Sequence, residues 1–239
     1  MVGIGPGGPL DRTRRAEQAI GNSQVIVGYR LYLDMISDLT TGKELISSGM
    51  TREVDRTRAA LDRASQGAAV ALVSSGDAGI YGMAGLALEM AASYPVHIPI
   101  EVVPGITSSS AVAARLGAPL MLDYAVISLS DLLVPWDAIR RRLEAVAAAD
   151  LVVALYNPRS KKRTAQLEEA QRIFRAHRGG NTPVGVGRAV GTADEHVVLS
   201  DLDHFLELDI DMRTTVVVGN TSSRVVQGWF VTPRGYGMD

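Results

Sequence analysis

Short apolar runs rich in β-branched residues recur along this chain, separated by longer stretches in which apolar positions return every three or four residues. Residues 24–28 and 69–73 read as buried strands, 2–4 as a very short first strand, and 44–47 as a weaker one. Residues 98–103 read as a further strand. Between these runs, 11–20, 29–39, 52–65 and 83–91 carry helical spacing. Asp11 stands where an N-cap is expected, and 52–65 has a charged, surface-facing side. A helix of small residues then runs to Leu116. Strand and helix in alternation predict a mostly parallel sheet covered by helices.

The texture changes at 117–121, Gly-Ala-Pro-Leu-Met, and a domain boundary is expected there, giving domains 1–118 and 119–239. Beyond it, strands are predicted at 124–129, 151–155 and 183–187, with helices at 136–148 and 164–177. The tail turns β-rich, with runs at 195–199, 214–218 and 227–231 and a short helix at 202–208. The second half therefore predicts a mixed sheet, and the chain as a whole two α/β domains.

Composition narrows the classes. The chain has 239 residues, 46% of them apolar and 21% charged, which is ordinary for a globular protein. Its net charge of −2 gives no electrostatic footprint for nucleic acid. With no cysteine, disulfides, thiolate metal sites and cysteine nucleophiles are excluded. No apolar run reaches the roughly 18 residues of a membrane span, and no basic-then-apolar leader opens the chain. A cytoplasmic protein with no membrane partner is the expectation.

Chemistry concentrates where predicted strands run into glycine-rich loops. Residues 73–82, Val-Ser-Ser-Gly-Asp-Ala-Gly-Ile-Tyr-Gly, join a buried strand to a helix, the place where an α/β protein brings backbone against a ligand. The simpler reading is an ordinary connection with Asp77 as a helix cap. Residues 104–110, Pro-Gly-Ile-Thr-Ser-Ser-Ser, form a second such loop, in which Thr107 or Ser108 serves equally as a cap. Two loops at the carboxyl ends of parallel strands face one crevice. Gly3-x-Gly5-x-x-Gly8 matches the dinucleotide fingerprint in form. However, the second strand ends Val27-Gly28-Tyr29 without the ribose-binding carboxylate, and Pro6 removes an N–H a pyrophosphate would use. Both departures disfavour a nicotinamide or flavin site.

The run Arg159-Ser-Lys-Lys-Arg163 reads either as a solvated helix start or as a site for a polyanion. Arg30, Arg188 and Arg213 lie near other predicted element ends. His97, His177, His196 and His204 have no partners at metal-ligand spacing, so no metal site is expected. No nucleophile elbow is present.

Four of these motifs in one order, Gly3 to Gly7, Ser75 to Gly82, Val103 to Ser108 and Thr214 to Gly219, resemble the tetrapyrrole methylases, S-adenosylmethionine-dependent enzymes of corrin and sirohaem biosynthesis. The likeness covers essentially the whole chain. Residues 127–133 with Pro135-Trp136, and 154–160, resemble the branch that methylates C17 of a precorrin with ring contraction. The resemblance implies two α/β domains with the cofactor folded into a cleft between them, a homodimer, and S-adenosylhomocysteine as the second product. It implies that Ser75, Gly76, Asp77, Ile80, Thr107 and Ser108 hold the methionine and ribose part of the cofactor. Tyr156, Asn157, Arg188, Thr215 and Val216 would flank the adenosyl end. Pro6 would line the substrate trough, and Arg30, Arg159, Lys161 and Lys162 would meet the macrocycle's carboxylates. The family's usual Gly-Asp-Pro is Gly76-Asp77-Ala78 here, and the first strand is shorter than usual.

A sulfonium is already an activated methyl donor, so such a protein has chiefly to orient two reactants. Ring contraction also requires a hydroxyl to lose its proton. Asp131, with Ser128 or Ser130 beside it, is the candidate acid–base group, although Asp131 equally suits a helix cap. The competing classes are another methylase of the same family, including one acting on ribosomal RNA, a dinucleotide-dependent oxidoreductase, and a silent tetrapyrrole-binding module. An RNA substrate calls for a basic balance that this chain lacks.

Overall fold

The structure is a computed structural model that describes residues 1–237, and it divides into two compact units, Met1–Ser108 and a second from Ser109 onward. In the first unit, β1 (Val2–Gly3), β2 (Val25–Tyr29), β3 (Glu44–Ser48) and β4 (Val70–Ser74) form a sheet in the order β1-β4-β2-β3. Every pairing in it is parallel. The helices are α1 (Arg14–Gly21), α2 (Arg30–Asp34), α3 (Glu53–Ser65) and α4 (Ala84–Ala91). Alternate side chains of a strand point to opposite faces, so each buried strand feeds two cores. Ile26 and Val73 pack with Ile20 of α1. Val25, Val27 and Leu72 pack instead with Ala60 of α3 and Ala87 of α4.

Three local expectations are corrected here. Thr13, not Asp11, caps α1, its hydroxyl accepting the Ala16 N–H at 3.1 Å. Asp11 ends a preceding 3₁₀ turn, Pro9–Asp11. The helix expected over 29–39 breaks after α2, because Ile36 leaves helical geometry (φ −119°, ψ 22°) to bury its side chain, and a 3₁₀ turn, Ser37–Leu39, follows. The apolar run 98–103 does not form a strand, since Pro99 lacks the N–H a ladder needs. Only Val103 pairs, with Val2.

The second unit carries α5 (Ser108–Leu116), β5 (Gly117–Ala118), β6 (Tyr124–Ser128), α6 (Trp136–Ala148), β7 (Val152–Tyr156) and α7 (Ala165–Arg175). After these come β8 (Pro183–Arg188), β9 (His196–Asp201), β10 (Thr214–Val218), β11 (Arg224–Val226) and β12 (Trp229–Val231). Its main sheet runs β6-β7-β10-β8-β9, parallel only between β6 and β7. One face packs α6 and α7 through Ile139, Leu143, Leu167 and Phe174. The other face receives α5 where β8 has glycines at alternate positions. A Cβ at Gly185 would lie 2.1 Å from a Leu116 methyl, and one at Gly187 2.5 Å from a Val112 methyl. That packing draws α5 into the second unit, so the division falls earlier than the expected boundary after residue 118.

Residues 202–208 give only a 3₁₀ turn, Phe205–Glu207. The run at 227–231 becomes half of a hairpin. Gln227 (φ 50°) and Gly228 (φ 84°) form the two-residue turn between β11 and β12, a geometry that matches strand twist. β12 also pairs with β5.

Arg178, whose side chain is fully buried, fastens the far end of this unit. Its guanidinium donates to the Leu151 carbonyl at 2.6 Å and to the Gly219 carbonyl, and it lies 4.9 Å over the Phe174 ring. Removing the donors leaves the buried Gly219 carbonyl and the part-buried Leu151 carbonyl without this partner, at about 1–3 kcal/mol each, and Asp150, 3.7 Å from Nε, without its cation. Arg178→Met is expected to lower unfolding stability by about 2–4 kcal/mol, read as a lower urea midpoint with an unchanged slope. An unchanged midpoint would assign the fastening elsewhere.

Candidate functional site

In the first unit the parallel pairings bring the carboxyl ends of β1, β4 and Val103 side by side. Just past them, the backbones of Gly3, Gly76 and Gly105 meet. A Cβ on Gly105 would fall 2.1 Å from the Gly76 carbonyl oxygen, and one on Gly3 would fall 2.7 Å from the Gly105 nitrogen. The obstructing atoms are backbone, so no rotamer change relieves either clash. Gly5 and Gly76 exchange hydrogen bonds at 3.1 and 2.7 Å.

Asp77 completes the junction. One carboxylate oxygen accepts the Gly79 N–H at 2.7 Å and the other accepts the Gly105 N–H at 2.9 Å. These charge-assisted bonds tie the 77–79 turn to the loop that begins at Gly105. Gly76 lies against Thr107, whose Cα would be 3.7 Å from a Cβ there, and Ser108 N would be 3.9 Å away. Ser75, Gly76, Asp77, Thr107 and Ser108 are thus brought together, all half-buried, with Ile80 exposed on the same loop.

The segment leaving β1 carries half-buried Pro6 and is pinned further along by Arg12. The buried Arg12 guanidinium binds both oxygens of Asp38, at 3.0 and 2.6 Å, and holds that carboxyl below the usual carboxylate range. Arg30 is exposed at the end of β2, away from the glycine junction.

In the second unit β6, β7 and β8 run in one direction, so their carboxyl ends share an edge. Tyr156 ends β7, and its hydroxyl accepts the Ser109 N–H at 2.9 Å. Asn157 follows at φ 49°, and its amide donates to the Ser128 hydroxyl at 3.0 Å. The same hydroxyl accepts the Ser130 N–H at 3.2 Å. Asp131 accepts from the Gln166 amide at 2.8 Å and lies 3.9 Å from Arg163 Nε. Arg163, pulled down from its ordinary pKa by burial, also donates to the Leu129 carbonyl at 3.0 Å. Ser128, Ser130 and Asn157 therefore form one hydrogen-bonded group, next in the chain to Tyr156 and to an Asp131 held by Gln166 and Arg163. Arg159 is half-buried, and Lys161 and Lys162 are exposed on the adjoining turn.

Two predicted site residues stand apart. Arg188 is engaged by Asp209 and Asp211, each at 3.6 Å. Val216 pairs with Leu155 and Val186, and its side chain lies in the core. Thr215, its neighbour, is buried nearer the edge. Arg163 and Gln166 were missed as holders of Asp131. Arg163 showed only as one charge in a basic run, and its burial depends on the reversed turn in which it pairs with Ser160.

A family model described as Tetrapyrrole (Corrin/Porphyrin) Methylases matches residues 1–205. The chain belongs to this family. A Salmonella typhimurium protein named "Probable cobalt-factor III C(17)-methyltransferase" is 43% identical to this tetrapyrrole methylase over 236 residues, covering 99% of this chain and 98% of that one. A Priestia megaterium protein named "Cobalt-factor III methyltransferase" is 46% identical over 99% of this chain, which spans 44% of that protein's length. The crystal structure of "the methyltransferase CobJ" superposes with a TM-score of 0.91 at 37% identity, covering 97% of this chain and 98% of that one.

Exchanging one Asp77 oxygen for an amide sets donor against donor at Gly79 or Gly105. Asp77→Asn is therefore expected to weaken S-adenosylhomocysteine binding at least about tenfold, a loss of about 1.4 kcal/mol in calorimetry. Unchanged affinity would separate the junction from ligand binding.

Proposed function

We propose that this tetrapyrrole methylase transfers a methyl group from S-adenosylmethionine to C17 of a carboxylated tetrapyrrole in cobalamin synthesis, with contraction of the ring. The observation that carries this reading is the match to the Salmonella protein along almost the full length of both chains. The names of the relatives favour the cobalt-bearing substrate, cobalt-factor III, over metal-free precorrin-3B.

The glycine junction supports a cofactor site. Where a Cβ would strike backbone, glycine lets the loops pack directly on one another and fixes their shape at the strand ends, the place where an α/β sheet meets a ligand. Ser75, Gly76, Ile80, Thr107 and Ser108 would hold the cofactor, and Asp77 would fix the shape of the loops that do so. Bound S-adenosylmethionine supplies a methyl group already activated on a sulfonium. The protein's share is to hold the acceptor carbon in line, which is chiefly a matter of proximity and orientation.

In the second unit, Tyr156, Asn157 and Thr215 keep the cofactor role that the resemblance gives them. Support for Arg188 and Val216 is weaker, because one is committed to two carboxylates and the other to the core. Arg159, Lys161 and Lys162 would meet acid arms of the substrate. Asp131, oriented by Gln166 and Arg163, is the group offered for the ring-hydroxyl proton, with Ser128 and Ser130 beside it. Homodimeric assembly and a cytoplasmic location belong to the same proposal. No helix among the described residues is long and apolar enough to cross a membrane.

Incubation with methyl-labelled S-adenosylmethionine and cobalt-factor III is expected to give a labelled corrinoid heavier by one methyl group, with a spectrum changed by ring contraction. Label appearing at another ring position, or none in the corrinoid, would contradict the reading.

A further inference from the structure

Residues 129–135 join β6 to α6 without regular structure, and side chains at 163, 166 and 169 hold them. Arg163 donates to the Leu129 carbonyl at 3.0 Å. Gln166 donates to Asp131 at 2.8 Å. Glu169 accepts the indole N–H of Trp136, the first residue of α6, at 2.8 Å. Gln166 and Glu169 are three residues apart on α7 and so share one side of it, and Arg163 ends the reversed turn that precedes the helix. The loop is thus fastened at its entry, at Asp131 and at its exit, all by one short stretch of chain.

The exit fastening is well supported. Trp136 is half-buried and packs with Val134 against the second unit's core. Glu169 is half-buried too and lies 4.0 Å from Arg140 Nε, so its carboxylate sits between an indole and a guanidinium. A hydrogen bond to an ionised acceptor is roughly twice as strong as a neutral one. Between the fastened points Leu132 and Leu133 stand 75% and 91% exposed. Burying a leucine side chain is favourable by about 1.5–3 kcal/mol, so a loop free at its exit would gain by folding these inward, and Asp131 would move with them.

We propose that Trp136 and Glu169 are positioning residues for Asp131: their bond fixes the exit of the 129–135 loop and keeps the Asp131 carboxylate where it can take the ring-hydroxyl proton. The inference rests on the role proposed above for Asp131 and names the pair on which that role depends. A displacement of about 1 Å at a reacting centre costs on the order of a hundredfold in rate, so a partial loosening has a measurable effect.

The test is steady-state turnover of cobalt-factor III with S-adenosylmethionine by the whole chain. Trp136→Phe keeps a packed ring and removes the N–H. Its kcat is expected to fall about tenfold, with KM for both substrates within about twofold of wild type. Glu169→Ala should behave alike, and Glu169→Gln, whose amide oxygen still accepts the indole N–H, should recover most of the loss. In an Asp131→Asn background, itself slowed, adding Trp136→Phe should cost less than about twofold more, because a residue acting through Asp131 then has nothing to position. Fully additive losses, no loss in Trp136→Phe, or a rise in KM in step with the fall in kcat would each overturn the inference and leave the role of Asp131 standing. An Asp131→Asn protein with wild-type kcat would overturn that role, and this inference with it. A wild type without turnover would overturn the proposed function and both.

Discussion

Three stretches of backbone meet at the end of the parallel sheet more closely than side chains permit, and the architecture of the first unit holds them there. β1 contributes only two paired residues, yet it lies between β4 and Val103 and so carries Gly3 into contact with Gly76 and Gly105. The strands supply direction and the glycines supply room. Asp77 then locks the arrangement by spending one carboxylate oxygen on each of two loops. A charged residue in a glycine-rich loop invites assignment as a ligand-binding group. In this geometry both its oxygens are spent on backbone N–H groups, and its first effect is on the shape of the loops at Gly79 and Gly105.

Charge in this protein is arranged rather than accumulated. A net of −2 conceals a buried Arg56 with no acidic partner among the described residues, a buried Arg178 shared between two carbonyls and Asp150, and an Arg163 that holds both the Leu129 carbonyl and Asp131. Arg188, by contrast, is neutralised by two aspartates. The overall charge conveys nothing about them, since an arginine's meaning depends on which groups the fold sets around it.

Legibility in the sequence followed from how local each feature is. The buried strands 24–28 and 69–73 were readable because continuous apolar runs are what a doubly covered parallel sheet requires. Both glycine loops were readable because their composition is unusual over a few residues. Residues 98–103 misled, since the apolar pattern ignored Pro99 and only Val103 pairs. The packing of α5 on the β8 glycines was not readable, because it joins residues distant in the chain and has no local signature. β11 escaped notice because its three residues are all exposed and show no alternation. Arg163 and Arg56 were visible as charges, but their roles depend on partners distant in the chain or on a turn.

The central claim is that the glycine junction is where the methyl donor is gripped, and amide hydrogen exchange with and without S-adenosylhomocysteine tests it most directly. Binding is expected to slow exchange in segments 75–82 and 105–108 more than in the rest of the first unit's loops. Saturating ligand that leaves those two segments unprotected, while protecting others, would contradict it.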